Sequence, residues 1–405
     1  MTKHEPRPRK RTLIPLLVAV LGVALGVGGL ALLHVFAPGS PSSMAERAAR
    51  SEARAVPRPL SAAAIRARIE PSVVDVVATL TYDDETASGT GFVIDARTGL
   101  ILTNNHVIRD ATSVTVTVAA TGRTYPAGIV GVDVPADIAV LQIRPVAGLL
   151  AAPLGDSATV AVGAPVISFG NQAGAGGSPA IAHGVITDTD RTIQADDGVA
   201  GFSETLHGML ATTARIEPGD SGGPLAGAAG TVIGVDTAAG TGGTNTGYAI
   251  PINTAMAAER QITARHPGHG ISLGVGGFLG VVVGPGTERS PAAQQERERS
   301  VAAVDPTGAT GCVPTRDDVT TPVAIAPVPA GALVVGVLCG TGAATAGIGP
   351  GDVITAADGH PVKSPDALTA AMDAIRPGTV TSVTWVSTTG VTRTSRIRLG
   401  PAPAV

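Results

Sequence analysis

The sequence is poor in aromatic residues, charged residues and cysteines. Aromatic side chains make up 2% of the 405 residues and hydrophobic residues 44%, so Val, Ile, Leu and Ala must build any core. Charged residues reach only 15%, and a net charge of −4 leaves no basic field for nucleic acid. Two cysteines exclude a disulfide-rich scaffold and a four-thiolate zinc site. The 53 Gly and 31 Pro residues stay below the roughly 25–30% typical of low-complexity chains.

The N-terminal end has the charge pattern of a membrane anchor. Residues 1–12 form a basic tail, and residues 13–36 contain no Asp, Glu, Lys or Arg. A helix of this length spans about 36 Å, which is enough to cross a hydrocarbon core of ~30 Å. Because basic flanks stay in the cytoplasm, the pattern predicts a single-pass cell-membrane protein that contacts the lipid bilayer through residues 13–36. Everything after this segment is then extracytoplasmic.

A cleaved signal peptide is the alternative interpretation of the same segment. Its apolar region is longer than the usual ~7–15 residues, and Pro38 follows the nearest small-residue cleavage site. We therefore prefer an uncleaved anchor. Both interpretations place the bulk of the chain outside the cytoplasm.

Residues 37–62 are a linker, and the pattern then changes to that of an all-β domain over residues 63–265. Short runs rich in Val, Ile and Thr recur there, separated by Gly, Asp, Asn or Pro. The predicted strands are 73–80, 91–94, 113–118, 138–143, 166–169, 232–235 and 248–250. A helix is predicted over 254–265.

A Gly-rich linker, residues 266–277, leads to a second domain, residues 278–400. Its predicted strands lie near 279–283, 333–337, 380–386 and 392–399. A capped helix follows Ser364, with Pro365 in its first turn and apolar residues on one face. An insertion at about 284–330, rich in Pro, Gly and charge, is predicted to be a surface excursion.

The strongest local signal is the string Glu217–Leu225, which reads E-P-G-D-S-G-G-P-L. Gly219 lets the backbone turn so that the amide N–H groups of Gly219 and Ser221 point into one oxyanion hole. Gly222 and Gly223 leave space beside the Ser221 hydroxyl for a substrate backbone. The string therefore predicts Ser221 as a nucleophile.

A serine nucleophile needs a base, and His106 is the histidine best placed to supply it. It follows a strand-like run in the string Leu102–Ile108, which reads L-T-N-N-H-V-I. The other seven histidines lie in the tail or anchor, in the linker or second domain, or between strand-like residues. The sequence therefore predicts His106 at a strand end, where a catalytic base belongs.

The base in turn needs a carboxylate that fixes its tautomer, and two candidates precede the strand 138–143. Asp137 directly precedes this strand and can be held at its end. Asp133 precedes a Pro turn, where we expect it to be solvated. We prefer Asp137 and keep Asp133 as the alternative.

The order His, Asp, Ser and the strings T-N-N-H-V-I, A-D-I-A-V-L and G-D-S-G-G-P-L together resemble the HtrA-type branch of the trypsin-like serine proteases. The resemblance runs from about residue 71 to residue 251 and resumes at residue 278. It implies an all-β chymotrypsin-like double β-barrel and catalysis that requires no metal and no organic cofactor. Digestive relatives are activated by a freed N-terminus, but no Ile-Val-Gly-Gly-like site precedes this barrel, so Asp220 must have a different role.

The resemblance also assigns supporting residues. It implies that the Thr237 hydroxyl supports the triad aspartate. It identifies residues 245–251 as the closing strand, so that Asn245 and Gly247 line the substrate pocket together with Ile216. An aliphatic wall without an acid favours cleavage after small or medium apolar residues.

Most HtrA-type proteases carry one or more PDZ domains after the protease. Residues 277–281 resemble the PDZ carboxylate-binding loop, in which the amides of Leu279 and Gly280 hold the terminal carboxylate of a peptide. Residues 346–354 resemble the G-D-x-I turn of this domain, and 364–375 its groove helix. A Gly-rich turn of an unrelated small β domain explains residues 277–281 alone equally well.

Cys312 lies in the insertion and Cys339 follows a predicted strand. Outside the cytoplasm, a cysteine pair within one domain favours a disulfide over two free thiols. Such a bond would hold the insertion against the second domain.

The sequence as a whole predicts a membrane-anchored serine endopeptidase, and the resemblance implies damaged or unfolded proteins as substrates. The PDZ domain would bind C-terminal peptides or apolar segments, and since HtrA-type proteins are often trimers, a homotrimer is expected. One alternative is a noncatalytic peptide-binding sensor whose barrel is a scaffold. Another is a dedicated regulatory protease with one native target.

Overall fold

A computed structural model of the chain describes residues 59–171, 177–196, 203–239, 246–266, 270–284, 311–322 and 324–405. Helix α1 (Ala62–Ile69) leads into the first β-barrel. Its strands are β1 (Val73–Leu80), β2 (Glu85–Asp95), β3 (Leu100–Thr103), β4 (Ser113–Val118), β5 (Arg123–Asp133) and β6 (Ile138–Gln142). They pair antiparallel in the order β5-β4-β1-β2-β3-β6, and pairing of β5 with β6 closes the barrel.

Alternating side chains explain why β4 forms a strand. In β4, the valines at 114, 116 and 118 are buried, and the residues between them are more exposed. Valines of β1 and β4 meet inside the barrel, with Ile101 and Leu141 from β3 and β6. The scarcity of aromatic residues is therefore compensated by β-branched and leucine side chains.

The second barrel is closed by six strands in the order β10-β11-β12-β9-β8-β7. These strands are β7 (Pro165–Gly170), β8 (Ala180–Asp196), β9 (Ser203–Thr212), β10 (Pro224–Gly227), β11 (Val232–Ala239) and β12 (Gly247–Pro251). One apolar cluster spans both barrels and includes Phe92 and Leu102 from the first and Phe169 and Val235 from the second. This shared core brings the facing loops of the two barrels together.

Helix α3 (Ile252–Thr263) follows the second barrel and packs Ile252, Ala255 and Ile262 into the shared core. The predicted linker after it is only partly a linker. Residues Ile271–Leu273 form strand β13, which pairs with Asp133, Val132 and Gly131 of β5. The apolar side chains in this Gly-rich stretch are used to extend the first barrel, a non-local pairing that composition does not reveal.

The C-terminal part forms a separate sheet in the order β15-β16-β17-β19-β20, with β18 beside β17. The elements of this C-terminal part are β14 (Gly277–Phe278), β15 (Val281–Val283), β16 (Ala332–Val337), α4 (Gly342–Ala346), β17 (Val353–Ala357), β18 (His360–Pro361), α5 (Pro365–Asp373), β19 (Val380–Val386), β20 (Thr392–Arg398) and β21 (Gly400–Pro401). Strands β14 and β21 pair with each other in a separate two-stranded sheet. Ser364 caps α5 by accepting the Ala367 amide N–H, and Leu368 and Met372 are buried beneath the helix.

The Cys312–Cys339 disulfide is present, as predicted. It ties the described part of the insertion to Cys339, the second residue after β16, and Val313 also bridges to Leu338. Four residues beyond Cys312, the guanidinium of Arg316 bonds the Asp110 carboxylate of the first barrel at 2.7 Å.

The predicted anchor, residues 13–36, lies outside the described residues. Within the described ranges, no helix is both long and apolar enough to span a bilayer.

Candidate active site

Two neighbouring strands of the first barrel place His106 beside Asp137. Thr103, at the end of β3, pairs with Ala139 in β6. His106 follows β3 in the short helix α2 (Asn105–Ile108), and Asp137 directly precedes β6. The imidazole Nδ1 lies 2.9 Å from Asp137 Oδ2, and the His106 amide donates to Oδ1 at 3.0 Å.

The loop before β6 settles which aspartate faces the imidazole. The amide of Asp137 donates to the Val134 carbonyl, closing a turn with Pro135 in its second position. Asp137 has a positive φ of 50° and is 2% exposed, whereas Asp133 uses its carboxylate to accept the Ala136 amide. The structure therefore places Asp137 against His106, and Asp133 stabilises the turn.

The second barrel contributes Thr237 to this pair. Its hydroxyl, on β11, donates to Asp137 Oδ2 at 2.6 Å. Burial by itself would raise the pKa of Asp137, but the charge on His106 and the hydrogen bonds from His106 and Thr237 outweigh it. The pKa of Asp137 therefore lies below its ordinary value, and the buried group stays ionised.

The loop before the serine contains a tight turn. Asp220 donates its amide N–H to the Glu217 carbonyl, while its carboxylate accepts the Glu217 amide at 2.8 Å. Pro218 occupies the second position and Gly219 the third, where φ is 98°. These are the features of a type II turn, whose third residue must have a positive φ and is therefore usually Gly. In such a turn, the amide of Gly219 faces away from the turn's own hydrogen bond.

Thr90 of the first barrel holds this turn from outside. Its hydroxyl donates to the Gly219 carbonyl at 2.7 Å. The Thr90 hydroxyl oxygen also accepts the main-chain N–H of Asn171. Its own amide donates to the Ser221 carbonyl at 2.8 Å. We did not predict this role for Thr90. Its only sequence signal is the string G-T-G at 89–91, which is unremarkable in a Gly-rich chain.

Ser221 lies next to Thr237 in the structure. The Ser221 hydroxyl donates to the Thr237 carbonyl at 3.0 Å. The next residue, Gly222, has a φ of 87° and leaves no room for a methyl group against the Thr90 carbonyl and the Thr103 hydroxyl. Ser221 therefore lies against the strand end that carries His106, and Thr237 contacts both Ser221 and Asp137.

Two of the three predicted pocket residues, Ile216 and Gly247, pack against each other. Ile216 is 4% exposed, and a methyl group on Gly247 would lie 2.7 Å from its side chain. Asn245 lies outside the described residues. The neighbouring Arg215 is exposed and forms an ion pair with Glu217, so its charge is partly balanced.

The two residues predicted to bind a peptide carboxylate lie between β14 and β15. Gly280 has a φ of 87°, and its carbonyl accepts the Leu338 amide. The carbonyl of Leu279 accepts the Ala343 amide at the start of α4. Both carbonyls therefore point into the domain.

Comparisons with known proteins identify the class. Residues 89–235 match the family model of the trypsin-like peptidase domain. Serine protease PepD of Mycobacterium tuberculosis is 31% identical over 419 aligned positions, covering 98% of this chain and 79% of PepD. The periplasmic pH-dependent serine endoprotease DegQ of Escherichia coli is also 31% identical, over 72% of this chain and 54% of DegQ. A solved HtrA-type protease, AlgW with a tripeptide, is 28% identical over 85% of this chain and 98% of its own, with a TM-score of 0.43.

The mostly-β, chymotrypsin-like fold, the match to the trypsin-like peptidase domain and the similarity to PepD define a serine endopeptidase. The chain belongs to the HtrA family of trypsin-like serine proteases, as its motifs indicated. The relatives are proteases, and DegQ is by its name periplasmic.

Proposed function

We propose that this protein hydrolyses peptide bonds through an acyl-enzyme formed on Ser221. The Ser221 hydroxyl attacks the substrate carbonyl, and His106 accepts its proton and passes it to the leaving amine. Asp137 holds the imidazole in the required tautomer and stabilises the imidazolium. The amides of Gly219 and Ser221 stabilise the oxyanion of the tetrahedral intermediate. Water, activated by His106, then releases the acyl group.

The single observation that carries this proposal is the hydrogen-bonded chain from His106 through Asp137 to Thr237. It is buried at the carboxylate, crosses from one barrel to the other, and ends beside the Ser221 hydroxyl. For attack, this hydroxyl must exchange its hydrogen bond to the Thr237 carbonyl for one to the imidazole. The type II turn at Gly219 supports the oxyanion role, because it orients that amide before substrate arrives.

A fluorophosphonate probe tests the catalytic assignment. We expect covalent labelling of the folded protein and none of Ser221→Ala, while Ser113→Ala, which changes an exposed serine of β4, should label normally. Absence of labelling in well-folded wild-type protein, with and without added C-terminal peptides, would instead support the peptide-binding sensor.

Cleavage of an unfolded casein-like chain in preference to folded proteins tests the proposed substrate class against a dedicated regulatory protease.

The preference at the cleavage site should be for small or medium apolar residues. The buried Ile216 side chain packs against Gly247, so the pocket wall that these residues form is aliphatic. Sequencing the products of a mixed peptide library should show Ala, Val or Leu before the cuts. Predominant cleavage after Lys, Arg or Phe would contradict the pocket assignment.

The second domain, in this proposal, is a PDZ domain that binds the C-terminus of a peptide. Strand β15, which follows Gly280, is at the edge of the described sheet and can accept an added strand. The carbonyls of Leu279 and Gly280 are bonded within the domain, so these residues can present their amides to a carboxylate. A peptide with a free C-terminus should bind more tightly than the same peptide with a C-terminal amide, and equal affinities would exclude carboxylate recognition.

We further propose that residues 13–36 anchor the chain in a membrane and that its protease and PDZ domains are extracytoplasmic. The Cys312–Cys339 disulfide supports an oxidising compartment, because cytosolic thiols are kept reduced. The full chain should remain with membranes after an alkaline wash, and Leu25→Glu should release it, since a charge within the apolar segment is costly. A homotrimer is part of the same proposal, and the mass of the detergent-solubilised protein tests it.

A further inference from the structure

Asp236 is a completely buried carboxyl group whose role the proposed mechanism leaves open. It lies on β11 next to Thr237 and is 0% exposed. Its Oδ2 accepts the Ser168 hydroxyl of β7 at 2.6 Å, and among the described residues Oδ1 has no hydrogen-bond partner. An ionised carboxylate at this buried position would strongly destabilise the folded state unless several hydrogen-bond donors or a cation surrounded it.

A second buried carboxyl group lies close to Asp236. Asp220 is 2% exposed, and its carboxylate lies in the space that the missing side chain of Gly170 leaves free. Gly170 and Ser168 are two residues apart on β7, so the two carboxyl groups lie against the same face of this strand. Burial, and then the charge of Asp220, raise the pKa of Asp236 well above its ordinary value, and the Ser168 hydrogen bond lowers it only in part.

Among the described residues, the other elements packed against β11 supply no charge that compensates for Asp236. Strand β10 contains no titratable residue. On β12, Ala249 stands opposite Asp236, and Tyr248 pairs with Ala238 instead. Helix α3 carries Glu259 and Arg260, and neither alters the pKa of Asp236.

The backbone of Asp236 connects this carboxyl group to the nucleophile loop. Its carbonyl accepts the Gly222 amide at 2.7 Å, and its amide donates to the Gly223 carbonyl at 2.8 Å. Asp220, on the other side of Ser221, uses its own carboxylate to hold the Glu217 amide of the type II turn. A repulsion between the two carboxyl groups would therefore act on both sides of the nucleophile.

We propose that Asp236 is a positioning residue that remains protonated and neutral. Of the two carboxyl groups, only that of Asp220 then carries a charge beneath the turn that contains Gly219. Two carboxyl groups that share a buried site cannot both ionise at low cost. A neutral carboxylic acid keeps the shape and the acceptor oxygen that Ser168 needs, and it leaves the turn undisturbed. The effect on catalysis rests on the proposed role of the Gly219 amide, whereas the protonation state of Asp236 does not.

Infrared difference spectroscopy tests the protonation state directly, in a Ser221→Ala background where activity plays no part. We expect a carbonyl stretching band of a protonated carboxylic acid at pH 8, and this band should be missing in Asp236→Asn. In Asp220→Asn, the same band should titrate away at a lower pH, because the neighbouring charge is gone. Absence of the band at pH 8 in the folded protein would overturn the proposal.

Kinetics of the enzyme with Ser221 intact test the positioning role. Asp236→Asn keeps the shape without charge, so kcat/KM should stay within about threefold of wild type. Asp236→Val leaves the Ser168 hydroxyl without its acceptor and should lower kcat/KM by about 10–100-fold. If Asp236→Asn loses as much activity as Asp236→Val, the neutral acid is not what the site requires. If the band is present but wild-type protein is inactive on peptides, the proposed function fails while the assignment of Asp236 stands.

Discussion

The Ser221 hydroxyl donates a hydrogen bond to the Thr237 carbonyl at 3.0 Å, and the Thr237 side chain donates to Asp137 at 2.6 Å. One residue of β11 therefore contacts two members of the proposed triad, through its main chain and through its side chain. Since Asp137 precedes a strand of the first barrel, the Thr237 hydroxyl also links the two barrels at the site. A displacement of β11 would disturb Ser221 and Asp137 together.

Thr237→Val keeps the carbonyl and removes the hydroxyl, and it should lower kcat/KM by about 10–100-fold. A hydrogen bond to a charged group is worth about 1.5–3 kcal/mol, and its loss leaves Asp137 buried with one donor fewer. Peptide hydrolysis measures the loss, and Thr237→Ser, which restores the hydroxyl, should recover most of the activity. Equal activity of the Val and Ser variants would show that the hydroxyl does not act through Asp137.

Gly219→Ala should lower kcat by about 10²–10³-fold with a smaller change in KM, as expected for the loss of one oxyanion donor. The φ of 98° at this position disfavours a side chain, so the turn should change its conformation and redirect the amide. Gly122→Ala is the matched control, because Gly122 also has a positive φ but nothing lies near its missing side chain. A similar loss in both variants would point to general instability.

Asp75→Asn should stabilise the protein at neutral pH. Asp75, on β1, is 4% exposed, neither of its oxygens has a hydrogen-bond partner among the described residues, and burial raises its pKa from 3.8 to about 6. Because the folded state disfavours the ionised form, this group lowers the free energy of unfolding as the pH rises from about 4 through 6. A shift of about two units corresponds to about 3 kcal/mol, which Asp75→Asn should recover.

Urea unfolding at pH 7.5 and at pH 4 measures this effect. The gain in Asp75→Asn should be largest at pH 7.5 and much smaller at pH 4, where the wild-type carboxyl group is protonated in the folded state and already partly protonated in the unfolded state. Asp84→Asn changes an exposed aspartate and should have little effect at either pH. A gain that does not depend on pH would mean that burial of charge is not the cause.

Arg316 should couple the insertion to the first barrel. Its guanidinium bonds Asp110 at 2.7 Å, and its amide donates to the Tyr82 carbonyl at 2.7 Å. A double-mutant cycle of Arg316→Met with Asp110→Asn should give a coupling free energy of about 1 kcal/mol, since the pair is partly exposed. Arg97→Met, which alters an exposed and looser pair with Asp95, serves as the control.

Much of the fold could be predicted from local patterns. Short runs rich in Val and Thr placed strands 73–80, 113–118 and 380–386 with the bounds that the structure shows. Other strands, such as Ala180–Asp196, were not predicted, because polar residues interrupt the run of Val, Ile and Thr there. The helix after the second barrel begins two residues earlier and ends two residues earlier than the periodicity indicated.

The sequence by itself determined the family, the order His, Asp, Ser along the chain, and the disulfide partners, because rare strings and a count of two cysteines are local properties. The sequence favoured Asp137 over Asp133, but only the tertiary structure decided that Asp137 faces His106 and that β13 joins the first barrel. It also decided that Thr90 and Asp236 support the nucleophile loop from different strands. These contacts join residues far apart in the chain, and their energies depend on burial and orientation, which only the closed barrels create.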